Sequence, residues 1–165
     1  MAYNIHPILV HFPIALLVLY SLVKIIPWGR WFPSVAWKQI ERILLVVGVI
    51  GAFFALATGE TAEHLVRPQH DLVEMHSFFA TLATWLYAAL LVGEILAFFK
   101  KLPFIQKILC NVWLSGIVAI IALISISLAG LLGGVIVYGT TADPFANSVL
   151  KVLNIQVGTT TQNTR

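Results

Sequence analysis

The sequence predicts an all-α integral membrane protein, a four-helix bundle running up-down-up-down with both termini outside. Three observations predict it. The 165-residue chain is 59% hydrophobic and 10% charged, with a mean hydropathy of +0.93, which is not the composition of a soluble globule. Four apolar stretches, at 7–26, 40–58, 72–99 and 112–138, reach the roughly 20 residues that a helix needs to span a bilayer. The basic residues are also unevenly shared. Lys24, Arg30, Lys38 and Arg42 surround the first connection and Lys100, Lys101 and Lys107 the third, whereas Arg67, Lys151 and Arg165 fall on the other side. The positive-inside rule makes the first set cytoplasmic. Topology therefore accounts for the net charge of +3, and no nucleic-acid partner is expected. Residues 1–139 form the expected transmembrane domain, and 140–165 an interfacial or disordered tail.

The first stretch opens His6-Pro7-Ile8-Leu9-Val10-His11-Phe12-Pro13. Pro7 suits a first helical turn, and Pro13 removes one backbone bond, so a kink or restart is expected there. A start at Pro7 places His11 about 6 Å below the surface, at 1.5 Å per residue. No basic segment precedes this span and no small-residue cleavage site follows it, so it is expected to be retained. Trp28, Trp31, Phe32 and Trp37, with Arg30, make an aromatic and basic belt suited to the headgroup region.

The second span is rich in small residues. Gly48 and Ala52 have the spacing that lets helices approach closely in lipid. It leads into Thr58-Gly59-Glu60-Thr61-Ala62-Glu63-His64, read as the start of an outer loop that also holds Arg67, His70, Asp71 and Glu74. If the helix runs past Gly59, Glu60 and His64 share a face, as do His70 and Glu74. The third span has His76 near its opening and Glu94 near its cytoplasmic end, where the carboxylate is expected to reach toward Lys100 and Lys101. The fourth carries Ser115, Ser125 and Ser127, available for bonds between helices, and ends in Gly130-Leu131-Leu132-Gly133-Gly134. A short interfacial helix is expected within 145–157.

Counted from their outer ends, His11, His76, Gly59 and Gly134 all lie about 6 Å deep. In a bundle with short connections the first and third helices are diagonal neighbours. His11 and His76 would then face each other while Gly59, Gly133 and Gly134 offer space instead of bulk. That suits a b-type haem with two axial histidines, with Arg67 near a propionate. With one cysteine, Cys110, and no C-x-x-C-H, covalent haem attachment and an internal disulfide are both excluded. The same region offers His6, His11, His64, His70, His76 and Glu60 to a zinc, copper or iron ion, but without a compact motif. A third reading has no cofactor: the histidines cap helix ends in a structural or assembly subunit. Hydrolase chemistry finds no G-x-S-x-G elbow and no phosphate-cradling glycine loop. A transporter of this size, with no charge at mid-membrane, would have to oligomerise, so a homo-oligomer is left open.

The opening His6-Pro7-Ile8-Leu9-Val10-His11-Phe12-Pro13-Ile14-Ala15-Leu16 resembles a bacterial family of four-span membrane proteins, domain of unknown function 2231. The stretch Thr58-Gly59-x-x-Ala62-Glu63, the His76 opening and Gly133-Gly134-x-x-Val137-Tyr138-Gly139 resemble it too. The resemblance implies a bacterial inner-membrane location and brings no settled activity. Some members are joined to cytochrome c-type modules, which points to electron transfer and to a c-type cytochrome as redox partner. The family's histidines match His6, His11 and His76; His64 and His70 have no place in its pattern.

Overall fold

The computed structural model describes residues 6–66, 69–99, 111–139 and 144–153. Four long helices, α1 (His6–Ile25), α2 (Trp37–Val66), α3 (His70–Phe98) and α4 (Val112–Tyr138), are followed by a short α5 (Pro144–Val152). A turn of 3-10 helix at Trp28–Arg30 lies between α1 and α2. All four long helices are apolar and long enough to cross a membrane.

The boundaries follow local chemistry. α1 begins one residue before Pro7 and is continuous through Pro13. Pro13 is buried, and its ring sits where a side chain on Gly51 would stand, 3.1 Å from the position of a Cβ. The neighbouring helix is thus notched to receive the proline. α2 does not end near Thr58 as expected but runs on to Val66. No helix breaker occurs until Pro68, which disfavours helical backbone in the residue before it. The change from apolar to polar side chains marks where the helix leaves lipid, not where it stops. α4 is capped by Asn111, whose side chain accepts from the Trp113 and Leu114 amides at 3.0 and 3.2 Å. It stops at Gly139, whose φ of 78° is costly for residues with a Cβ.

α1 packs chiefly on α2, and α3 on α4; contacts of α2 with α3 and of α1 with α4 are sparser. The main core joins Leu17, Tyr20, Leu45, Val49, Ala83, Tyr87 and Ala122. At Gly48 a Cβ would lie 2.6 Å from Leu17 Cδ2, so the small residue sets how closely α1 and α2 approach. Across the bundle, Ser21 Oγ and Tyr87 OH share a 2.7 Å hydrogen bond, and Tyr20 meets Tyr87 edge to face at 6.0 Å. A second cluster joins Leu72, Leu132 and Val135 to Ala146 and Leu150 of α5. The buried set includes Ser21, Thr84, Ser115 and Ser125, whereas Ile43, Ile50, Phe54, Trp85, Ile117 and Ile124 are exposed. Most of the buried set is apolar as well, and an apolar exterior over an apolar core with a few polar groups is the pattern of a bundle solvated by lipid.

One expectation is corrected, and a second falls on residues that are not described. Ser115, Ser125 and Ser127 bond to Val112, Ile121 and Leu123 carbonyls of their own helix, not across helices, because the carbonyl one turn back is always within a serine's reach. Glu94 turns to α2, where Lys38 and Arg42 meet it at 2.5 and 3.2 Å; Lys100 and Lys101 lie outside the described residues.

Candidate functional site

One end of the bundle gathers the start of α1, the later turns of α2, the start of α3 and the last turns of α4. His6 is the first residue of α1, and its half-buried ring places Nδ1 3.0 Å from Thr58 Oγ1 of α2. The Thr58 hydroxyl spends its proton on the carbonyl of Ala55 or Phe54, at 3.0 and 3.2 Å. With its proton so placed, the hydroxyl oxygen can receive the proton of His6 Nδ1, whose ring also bonds the Ala55 carbonyl. His76, in the second turn of α3, places Nδ1 2.8 Å from the Ala129 carbonyl of α4. A carbonyl only accepts, so Nδ1 of His76 carries the proton. In His76 the neutral tautomer then leaves the lone pair on Nε2, and His6 matches it when its Nδ1 carries the proton.

The two imidazoles also sense one another. Burial, and after it the closeness of His76, hold His6 below the usual histidine range, with the Ala55 carbonyl pulling weakly the other way. The sequence pairs His11 with His76; the histidine of α1 that His76 influences in the structure is His6. His11 is exposed. Five residues further on, it lies about 140° round the helix from His6, off the seam formed by His6, Pro13 and Leu17.

The glycines divide into three situations. A Cβ on Gly133 would lie 3.1 Å from Cε1 and 3.4 Å from Nδ1 of His76, so its absence admits that ring. A Cβ on Gly59 would meet His6 Cε1 at 3.7 Å, an ordinary contact. Gly134, about 100° round α4 from Gly133, faces open space and lines a recess of about 280 Å³ with Gly130, Tyr138, Gly139 and Ala146. Only Gly133 is needed for the histidine layer as it stands.

His70 is exposed and pairs with Glu74, Nδ1 to Oε2 at 3.7 Å, on the i,i+4 spacing seen in the sequence. Such a solvated pair contributes little stability. Glu60 and His64 belong to the last turns of α2, but their side chains, like all of Arg67, lie outside the described residues. Among the described residues no group of three or more His, Cys, Asp or Glu side chains is gathered for a metal ion. Sequence reasoning missed Thr58 and the Ala129 carbonyl. Thr58 carried a signal, a hydroxyl one residue before Gly59 at the histidine depth. A backbone acceptor carries none.

The family model described as a predicted membrane protein, DUF2231, matches residues 2–143, and the chain belongs to that family. No curated protein and no solved structure matches it.

Proposed function

We propose that this member of the family is a membrane-embedded b-type haem protein that transfers electrons, with His6 and His76 as the two axial ligands. The observation that carries the reading is the anchoring of both Nδ1 atoms, one on Thr58 Oγ1 at 3.0 Å and one on the Ala129 carbonyl at 2.8 Å. Histidines that ligate a metal nearly always donate their other ring N–H in this way, which fixes ring orientation and makes Nε2 more basic. The donor set fits the group: two neutral imidazoles from diagonal helices, with no third ligand required. Haem bound there would supply a one-electron ferric/ferrous couple. What the chain itself does is hold two rings and exclude side-chain bulk at Gly133.

The proposal includes the finer topology. The helices run up-down-up-down in a bacterial inner membrane, both termini are periplasmic, and the histidine layer lies near that surface. A c-type cytochrome would be the natural redox partner there. The chemistry is that of an electron carrier, not of an enzyme with a substrate. Dithionite-reduced minus oxidised absorption spectra of detergent-purified protein test the reading. We expect sharp α and β bands that disappear in His6→Ala and in His76→Ala but persist in His11→Ala. A colourless protein from cells supplied with haem would overturn it.

A second reading, a structural subunit without cofactor, draws on the same two hydrogen bonds. Each joins neighbouring helices, His6 to α2 and His76 to α4, and each is sufficient to explain a histidine at a helix end. In that case the wild type is colourless and His76→Ala lowers its thermal stability. A zinc, copper or iron ion on the same pair is distinguished by metal analysis of the purified protein.

A further inference from the structure

The opposite end of the bundle carries a different kind of site. Three cations and two carboxylates meet there: Lys24 and Lys38 on Glu41 at 3.7 and 3.2 Å, and Lys38 and Arg42 on Glu94 at 2.5 and 3.2 Å. One positive charge is in excess, and its placement is not symmetrical. Both carboxylate side chains are only 15% exposed, while those of Lys38 and Arg42 are 51% and 43% exposed. The negative charges are turned inward together with Lys24, whose side chain is also 15% exposed, and Lys38 and Arg42 are turned outward. Arg42 meets Glu94 through Nε, and among the described residues no hydrogen bond engages its two terminal amino groups.

Directly beside this charge lies a groove of about 150 Å³ between α2 and α3, with Arg42 and Glu94 on its rim and Val46, Leu91, Ile95 and Phe98 among its walls. Its depth in the membrane is marked by the aromatic belt. Trp37, the first residue of α2, stacks on Trp28 at 5.6 Å, and such rings settle at the headgroup level. Arg42 is five residues further, about 7.5 Å along the axis, within reach of the same level for a long side chain. An apolar channel leading to an outward-facing guanidinium and ammonium at the depth of lipid phosphates is complementary to one class of molecule.

We propose that this groove seats an anionic phospholipid, with an acyl chain against Val46, Leu91, Ile95 and Phe98 and the phosphate on the terminal amino groups of Arg42 and on Lys38. The guanidinium offers two parallel donors to phosphate oxygens, and the lysine adds a point charge. Basic pockets between membrane helices recognise anionic headgroups by this chemistry. A zwitterionic lipid brings its own cation to the same excess positive charge and is disfavoured.

Native mass spectrometry of the full chain, delipidated and then offered equimolar phosphatidylglycerol and phosphatidylcholine of identical chains, tests the proposal. Retained phosphatidylglycerol should outnumber phosphatidylcholine, and the preference should fall about fivefold for each cation removed in Lys38→Gln/Arg42→Gln. That variant leaves Glu94 without partners and can lose its fold, so a second one leaves the ion pairs intact. Val46→Trp fills the groove from its lipid-facing wall and should lower phosphatidylglycerol retention. Equal retention of the two lipids by the wild type, a preference that survives in a folded Lys38→Gln/Arg42→Gln, or undiminished retention by Val46→Trp would each overturn the assignment.

Discussion

Gly133→Ala isolates the histidine layer from the rest of the bundle. The added methyl would stand 3.1 Å from Cε1 and 3.4 Å from Nδ1 of His76, inside the 3.5–4.0 Å at which carbon atoms rest comfortably. Either the ring stays and the contact is strained, or it swings away and surrenders its 2.8 Å bond to the Ala129 carbonyl. Overpacking costs about 1–3 kcal/mol and the hydrogen bond contributes about 0.5–1.5 kcal/mol. The two costs are alternatives, and alanine's better helix propensity offsets up to about 1 kcal/mol of either, leaving a net loss of up to about 2 kcal/mol. The adjacent Gly134 is the control, because a Cβ there meets nothing within 4 Å. Gly134→Ala keeps the propensity gain without the clash and should be neutral or more stable by up to about 1 kcal/mol. Thermal unfolding of the two variants in one detergent, followed by tryptophan fluorescence, measures the difference. At roughly 2–4 °C per kcal/mol for a chain of this size, the midpoints should separate clearly, with Gly133→Ala the lower. If haem is bound, its reduced spectrum should also change in Gly133→Ala alone. Identical behaviour of the two variants would refute the argument that Gly133 exists to admit the His76 ring.

Three other outcomes are expected. Gly48→Ala should destabilise by about 1–3 kcal/mol, since its Cβ would lie 2.6 Å from the fully buried Leu17; an unchanged midpoint would mean that α1 and α2 can separate freely. Tyr87→Phe removes the bond to Ser21 and should cost about 0.6–1 kcal/mol by thermal unfolding, with Ser21→Ala added to it costing little more, because the two changes delete one interaction. Because His6 is held below its ordinary value of 6.5, the folded state binds that proton less readily than the unfolded one. The resulting stability is complete above about pH 7.5, declines as pH falls through 6.5, and is lost below the lowered folded value. A melting series between about pH 5 and 8 should show this slope in the wild type and a reduced slope in His6→Gln.

Composition and length alone revealed the four spans, because a chain this apolar has few other ways to satisfy its backbone in lipid. That His6 and His76 stand near the openings of their helices was legible as well, since position in the sequence converts to position along a helix. Rotation was not. His6 and His11 are both near the opening of α1, and choosing between them requires knowing which face looks inward. In a soluble helix polar residues would mark the outer face. Here Ile8 and Phe12 are exposed and Leu17 is buried, so both faces are apolar and periodicity carries no orientation. The end of α2 was misplaced for a related reason: Glu60, Glu63 and His64 signal emergence from lipid, and the helix answers instead to Pro68. Glu94 could be placed at the correct end of α3 but not on its partners, because Lys38 and Arg42 are distant in sequence and only the packing of α2 on α3 brings them to it.

The uneven packing of the bundle makes it a pair of hairpins, α1 with α2 and α3 with α4, touching along a thinner seam. His6 belongs to one hairpin and His76 to the other. A group held by both rings would act as a rivet between the two hairpins, and its loss would loosen the seam before either hairpin. A group bound a thousandfold below its free concentration would add about 4 kcal/mol to that closure, so assembly of the halves and loading of the site would be one event seen from two sides.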